Sequence, residues 1–210
     1  MPGAEPNDAT PFLPDRHSLK ALREAAAGCR GCHLWRHATQ TVFGEGRKAS
    51  RVMFIGEQPG DKEDRAGAPF VGPAGRELDR ALEEVGIDRA DVYVTNVVKH
   101  FAFEERGKRR LHRTPKRFEI EACKPWLEEE LRVVDPEAVV LLGATAGKAL
   151  LGPSFRVTRS RGQPIESDLA QLVTATVHPS AILRAPDDEA RYAERRAFTE
   201  DLRIVAKVLA

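Results

Sequence analysis

The chain has 210 residues, enough for one compact domain and too few for two large ones. Its 33 Lys and Arg nearly balance 32 Asp and Glu, so the net charge is +1 and anion binding must come from local clustering, not from an overall polycation. No apolar run approaches the roughly 20 residues of a membrane span, and the first residues lack a signal-peptide core, so no membrane contact and a cytoplasmic location are expected.

Residues 1–16 (MPGAEPNDATPFLPDR) are proline-rich, lack apolar periodicity and read as a flexible leader; residues 17–210 read as the folded domain. Ser18 suits the N-cap of a short helix that runs to Ala27 and stops at Gly28. The next turn sets Cys29 and Cys32 in a CxxC spacing, and Cys123 follows far downstream. Three cysteines cannot all pair as disulfides, which a reducing compartment would not keep. Two thiolates on one turn can reach a single metal or iron-sulfur cluster, with Cys123 as a third ligand. The competing explanation is a redox pair with Cys123 as a buried apolar residue. Four ligands are usual, and His33, His37 and His100 are the candidates for the fourth.

After the CxxC turn the chain alternates. RVMFIGE (51–57), DVYVTNVV (91–98), PEAVVLLG (136–143) and QLVTATVH (171–178) are short runs rich in Val, Ile and Leu, as expected of strands buried on both faces. Helical patterns lie at about 74–86, 118–133, 145–151 and 187–208. This order predicts an α/β fold with a four-stranded parallel sheet and helices on both faces. In such sheets ligands bind at the carboxyl ends of the strands. Glu57-Gln58-Pro59-Gly60, Asn96 with Lys99-His100, and His178-Pro179-Ser180 all fall there.

GATAGKA (143–149) is not a phosphate loop, because only three residues separate its glycines and Ala149 follows the lysine. GEQPGDKEDRAGAPFVGPAG (56–75) reads as a long polar loop whose acids, Glu57, Asp61, Glu63 and Asp64, are ordinarily just solvated. Phe70 within it is either core or a platform for a flat ring. Between Lys99 and Arg117 there are eight Lys or Arg against Glu104 and Glu105, with His112 in their midst. Taken alone, this run reads as a solvated loop that grips phosphates.

The CxxC, GEQPG followed by APFVGPAG, YVTNVVK, the EACKPWL around Cys123, VLLGATA and ATVHPSAILR occur in order over about residues 28–185. Together they resemble the iron-sulfur uracil-DNA glycosylases of the family 4 type. The resemblance implies a three-layer α/β/α sandwich, a 4Fe-4S cluster and excision of uracil from DNA. Three departures resemble the narrower UdgX group, which binds uracil-containing DNA covalently: Gln58 after the motif glutamate, the inserted ERGKRRLHRTPKR (105–117), and His100 in place of a cluster cysteine. That resemblance implies Cys29, Cys32, His100 and Cys123 as cluster ligands; a cluster far from the reacting sugar would be structural, so no redox step in catalysis is expected.

Uracil release leaves positive charge on the sugar and negative charge on the base. Asn96 can donate to a carbonyl and accept from the adjacent N–H, the pattern uracil offers and cytosine does not. Phe70 is expected to stack on the base, with Gly56, Gln58 and Ser180 beside it. His178 is expected to donate to the base oxygen, at a worth of about 3–4 kcal/mol. His112 is expected to attack C1′, oriented by Glu57 and kept neutral by Arg109, Arg110 and Arg113. Arg110 is grouped with the catalytic residues, and Lys108, Arg109, Arg113 and Arg184 with DNA binding. The expected partner is uracil-containing DNA, single-stranded, and the expected state is a monomer. A conventional multiple-turnover glycosylase and a metal-containing nucleic-acid-binding module are the alternatives.

Overall fold

A computed structural model describes residues 7–209. Helix α1 (Leu19–Ala26) leads to strand β1 (Val52–Gly56), helices α2 (Asp61–Ala66) and α3 (Pro73–Val85), and strand β2 (Val92–Asn96). A hairpin of β3 (Phe103–Arg106) and β4 (Arg109–His112) precedes α4 (Arg117–Val134). Strand β5 (Ala138–Leu142), α5 (Ala144–Leu151), α6 (Val157–Ser160), β6 (Leu172–Thr176), α7 (Ser180–Leu183) and α8 (Asp188–Leu209) complete the order.

The four strands read from the sequence form one parallel sheet in the order β2-β1-β5-β6. Alternation along β1 divides the core in two. Val52 and Phe54 share one core with Leu78 and Leu82 of α3 and Phe198 and Leu202 of α8. Met53 and Ile55 share the other with Leu22 of α1 and Trp126 and Leu127 of α4. Each such fully buried side chain contributes about 1.5–3 kcal/mol, so both faces must stay covered. The result is the expected three-layer α/β/α arrangement. Among the described residues no helix is long and apolar enough to cross a membrane.

Helix ends follow local chemistry. Ser18 Oγ accepts the Ala21 N–H at 3.2 Å, which starts α1 as expected. Pro73 opens α3, where an N–H has no partner to lose, and Gly86 closes it at φ +75°.

Three segments differ from the sequence reading. The insertion expected as a loop is a hairpin, pairing Phe103 with His112 and Arg106 with Arg109 around Gly107 at φ +62°. Its period-two alternation puts Arg110 and His112 on one face and Leu111 on the other. The polar loop after β1 contains α2, whose Asp61, Glu63 and Asp64 sit in the first turn, where the helix dipole favours acids. Of the leader, residues 1–6 lie outside the described residues. Ala9 is fully buried and its N–H bonds to Ala122 O at 2.8 Å, so that part is packed on α4 and is not free.

Candidate active site

A cavity of about 800 Å³ opens at the carboxyl ends of β1, β2, β5 and β6. Glu57, Phe70, Asn96, His112, Thr145 and His178 all line it, so four strand ends and the hairpin meet at one place. Phe70 adopts φ +57°, a conformation that costs a non-glycine residue about 1–3 kcal/mol. Two glycines make that pose possible. A Cβ on Gly75 would lie 1.5 Å from the Phe70 carbonyl oxygen, and one on Gly56 would lie 2.8 Å from the Phe70 ring and 2.4 Å from Asn96 Oδ1. Gly56 thus acts by being absent from the space that Phe70 and Asn96 fill.

Asn96 is 3% exposed, and its Oδ1 is buried without a hydrogen-bond partner among the described residues. An orphaned acceptor at a cavity wall costs about 1–3 kcal/mol until a donor arrives. A ligand N–H is one donor that would satisfy it.

His178 is held in one tautomer. The Ser180 N–H donates to its Nδ1 at 3.2 Å, and the Ser180 hydroxyl, 2.8 Å from Nδ1, accepts from Arg184 Nη1 at 2.8 Å and so directs its own proton to the ring. Nδ1 is therefore an acceptor, and Nε2 carries the proton. Burial, then the charges of Arg184 and His112, lower the His178 pKa to about 4, so the ring is neutral near pH 7. Arg184, expected on phosphate, and Ser180, expected on the base, here orient His178.

His112 Nε2 lies 3.4 Å from Glu57 Oε1, and Thr145 Oγ1 donates to Glu57 Oε2. The His112 side chain is half exposed. Its pKa is lowered mainly by partial burial, with Glu57 opposing and Arg184 adding to the shift. The expected agents of that shift, Arg109, Arg110 and Arg113, are engaged elsewhere or turned away. Arg110 bonds Asp61 Oδ1 and Asp64 Oδ2, both at 2.6 Å, and lies over the Phe101 and Phe103 rings. It latches the hairpin to α2 instead of facing the cavity. Arg113 makes a bidentate pair with Glu119 at 2.9 and 2.6 Å. Lys108 and Arg109 are exposed at the hairpin tip, where the sequence reading put phosphate contacts.

Gln58 borders the cavity but both its amide protons are taken. Nε2 donates to the carbonyls of Ala102 and Arg113 at 3.1 and 2.8 Å, and Oε1 accepts the Ala102 N–H at 2.8 Å. It ties both feet of the hairpin to the loop after β1, so the expected substrate contact is a strut. Thr145, Asp61 and Asp64 were not assigned roles from the sequence. Thr145 lies in the failed phosphate loop and in the VLLGATA motif, neither of which gave it a role of its own, and the acids read as solvated.

The four proposed metal ligands show a donor set suited to thiolate ligation. Trp126 Nε1–H donates to Cys29 Sγ and the Lys99 N–H to Cys123 Sγ, each at 3.2 Å. Such N–H bonds to sulfur are typical support for metal-bound thiolates. Burial raises the Cys32 thiol and pushes Cys123 up to about 12, so with no cation bound both are thiols. Thr41 Oγ1 donates to Ala26 O at 2.9 Å and so must accept from His100 Nε2, also at 2.9 Å. Burial holds the His100 pKa at about 4, which leaves a neutral ring with its lone pair on Nδ1. Among the described residues no three Cys, His, Asp or Glu side chains converge closely enough to hold a single metal ion.

The family model of the uracil DNA glycosylase superfamily matches residues 43–203. A type-4 uracil-DNA glycosylase of Thermotoga maritima is 38% identical over 185 residues, covering 88% of this chain and 91% of the relative. A type-4 uracil-DNA glycosylase of Pyrobaculum aerophilum is 36% identical over 191 residues, with coverage of 88% and 91%. A type-5 uracil-DNA glycosylase of the same organism is 30% identical over 181 residues, with coverage of 78% and 76%.

Proposed function

The chain belongs to the uracil DNA glycosylase superfamily, and on that premise we propose that it releases uracil from DNA and is then captured as a covalent adduct through His112. The observation that carries this reading is the placement of His112, against Glu57, at the wall of the same cavity that holds the unpartnered Asn96 Oδ1. Uracil N3–H meets Asn96 Oδ1, and its neighbouring carbonyl accepts from the Asn96 amide. Phe70 lies against the flat face of the base. The bond from N1 to C1′ breaks with its electron pair going to uracil, and His178 Nε2–H donates to the base oxygen that gains charge.

The sugar cation then takes the lone pair of the neutral His112 ring. The new N–C1′ bond makes an imidazolium, which Glu57 offsets in charge, and uracil leaves as the anion. The alkylated ring is a poor leaving group, so each molecule acts once. Gln58, the inserted hairpin and His100 support placing the chain with the UdgX group within the superfamily. A 4Fe-4S cluster would be held by Cys29, Cys32, Cys123 and His100 and, when bound, would tie the CxxC turn to β2 and α4. It takes no part in the steps above. The substrate is taken to be single-stranded, where the target base is already unstacked and costs least to extrude, and the protein to act as a monomer.

The test is a denaturing gel of protein mixed with uracil-containing single-stranded DNA. A slow band that resists heat and detergent is expected, and His112→Ala removes it while base release persists. Free abasic product in excess of protein, with no such band, refutes capture and favours turnover with water. Visible absorption that disappears in Cys123→Ser marks the cluster; a colourless protein containing zinc refutes it.

A further inference from the structure

Behind Asn96 lies a charge pair that neither base release nor capture uses. Lys99 and Glu130 are both 0% exposed, and their charged groups pair directly. Lys99 Nζ also donates to Thr95 Oγ1 at 2.6 Å and to the main-chain carbonyl of Asn96 at 2.7 Å. It lies 5.6 Å from the centroid of the Phe43 ring. Glu130 accepts from the Gly44 N–H at 3.0 Å, from the Tyr93 hydroxyl at 2.8 Å and from Thr95 Oγ1 at 3.0 Å.

Such a pair is weak support for stability, because taking both charges out of water offsets most of their attraction. A well-packed apolar pair of equal volume would serve the core as well. What an apolar pair cannot do is hold the Asn96 carbonyl. That carbonyl is fixed from the core side, while Oδ1 of the same residue has no partner and lines the cavity. Gly56 adds the opposite wall, since any side chain there would strike Asn96 Oδ1. Asn96 is thus fixed in its main chain and bounded at its tip before any ligand enters.

We propose that Lys99 is a positioning residue for base selection: its ammonium, held by Glu130, clamps the Asn96 carbonyl and aims the Asn96 amide into the cavity. This rests on the reading of Asn96 as the residue that selects uracil. The clamp supplies preorganisation, since an amide already in place does not have to be ordered by the base.

The experiment compares two variants in single-turnover uracil release from DNA, with free uracil as competitor and cytosine-containing DNA as the wrong substrate. K99M/E130Q removes both charges, keeps similar volumes, and leaves untouched the Lys99 N–H that reaches Cys123. E130Q alone removes the counter-charge but keeps the Lys99 amine, whose N–H still reaches the Asn96 carbonyl whether or not it stays protonated. For K99M/E130Q, uracil release is expected to fall about a hundredfold, the cost of misplacing a reactive group by about 1 Å. Competition by free uracil should weaken in parallel, with melting temperature and affinity for abasic DNA close to those of the unmodified protein. For E130Q, melting temperature should fall while uracil release stays within about threefold of the parent. A folded K99M/E130Q that keeps its uracil rate and its response to free uracil overturns the proposal. Asn96→Ala is the control: if it leaves the preference for uracil over cytosine intact, the base-selection reading fails, whatever the clamp does. Should K99M/E130Q not fold, the Asn96 side-chain amide of the unmodified protein decides by NMR relaxation before DNA is added. An order parameter below about 0.6, the range of flexible groups, overturns the clamp, and a higher one supports it.

Discussion

Replacing Gln58 by Ala removes the strut between the loop after β1 and the hairpin while leaving Asn96, Phe70, His178 and His112 unchanged. The side chain is 6% exposed and makes three bonds to the main chain of Ala102 and Arg113, at 2.8 to 3.1 Å. At about 0.5–1.5 kcal/mol net per bond the loss is about 1.5–4.5 kcal/mol, and groups left buried without partners push it toward the upper end. The loss falls on the hairpin, because both partners are its feet and its other anchors are the side chains of Arg110 and Arg113. We expect local opening with little change in melting temperature. Adduct formation should slow about a hundredfold, as expected for an imidazole displaced by about 1 Å, while base release persists. One gel time course gives both rates, from the slow covalent band and from alkali-cleaved abasic strands. Amide exchange at Arg113, whose N–H bonds Ala102 O at 3.1 Å, reports the opening. Parental adduct rates alongside faster exchange would refute the requirement for a held hairpin. Unchanged exchange would refute the strut itself.

Asp64→Asn breaks a pair in which the carboxylate is 0% exposed and bonds both Arg110 and the Thr39 N–H; a cost of about 3–5 kcal/mol is expected in urea unfolding, and a loss below 1 kcal/mol would contradict it. His178 has a folded pKa of about 4 against about 6.5 unfolded, so the unfolded chain binds the extra proton between those values. Stability from this group is therefore full above pH 6.5 and falls by about 3 kcal/mol as pH drops toward 4; His178→Gln should flatten that part of a melting-temperature profile. Arg184→Met removes a cation that lowers the pKa of both His112 and His178, so the acid limb of adduct formation should move to higher pH. An acid limb that stays in place would show that Arg184 is electrostatically idle.

The sheet was legible because its strands are buried on both faces and carry unbroken apolar runs, which Val52–Ile55 and Ala138–Leu142 show plainly. The site was legible in its residue types, since Glu57, Asn96 and His178 stand at strand ends, where parallel sheets bind ligands. Which partner each cation takes was not. A run of Lys and Arg does not show that Arg110 turns inward to Asp61 and Asp64 while Lys108 and Arg109 turn out. The two-residue period of β4 separates Arg110 from Arg109, while Lys108 is exposed in the turn beside Gly107, which gave the only local hint of a hairpin. Gln58 was assigned to substrate because it follows the motif glutamate. Its partners are main-chain groups more than 40 residues away, which carry no side-chain signature.

On the proposed reaction, the fate of the sugar cation turns on what stands at Glu57. Its Oε2 accepts from Thr145, and its Oε1 faces His112 Nε2 at 3.4 Å, so a water oriented by that oxygen would need the place the imidazole holds. Withdrawing the hairpin frees that place. Gln58→Ala and Asp64→Asn should therefore do more than slow capture: free abasic product should rise as adduct falls. If loosening costs the hairpin about 3 kcal/mol, the ratio of free product to adduct shifts by up to about a hundredfold. Thr145→Val supplies the contrast, since it leaves the hairpin in place but frees Glu57 to turn, and should slow both outcomes together. Product and adduct that fall in constant ratio in Gln58→Ala would show that water and His112 do not compete for one position, and the hairpin would then be a DNA grip that happens to carry a histidine.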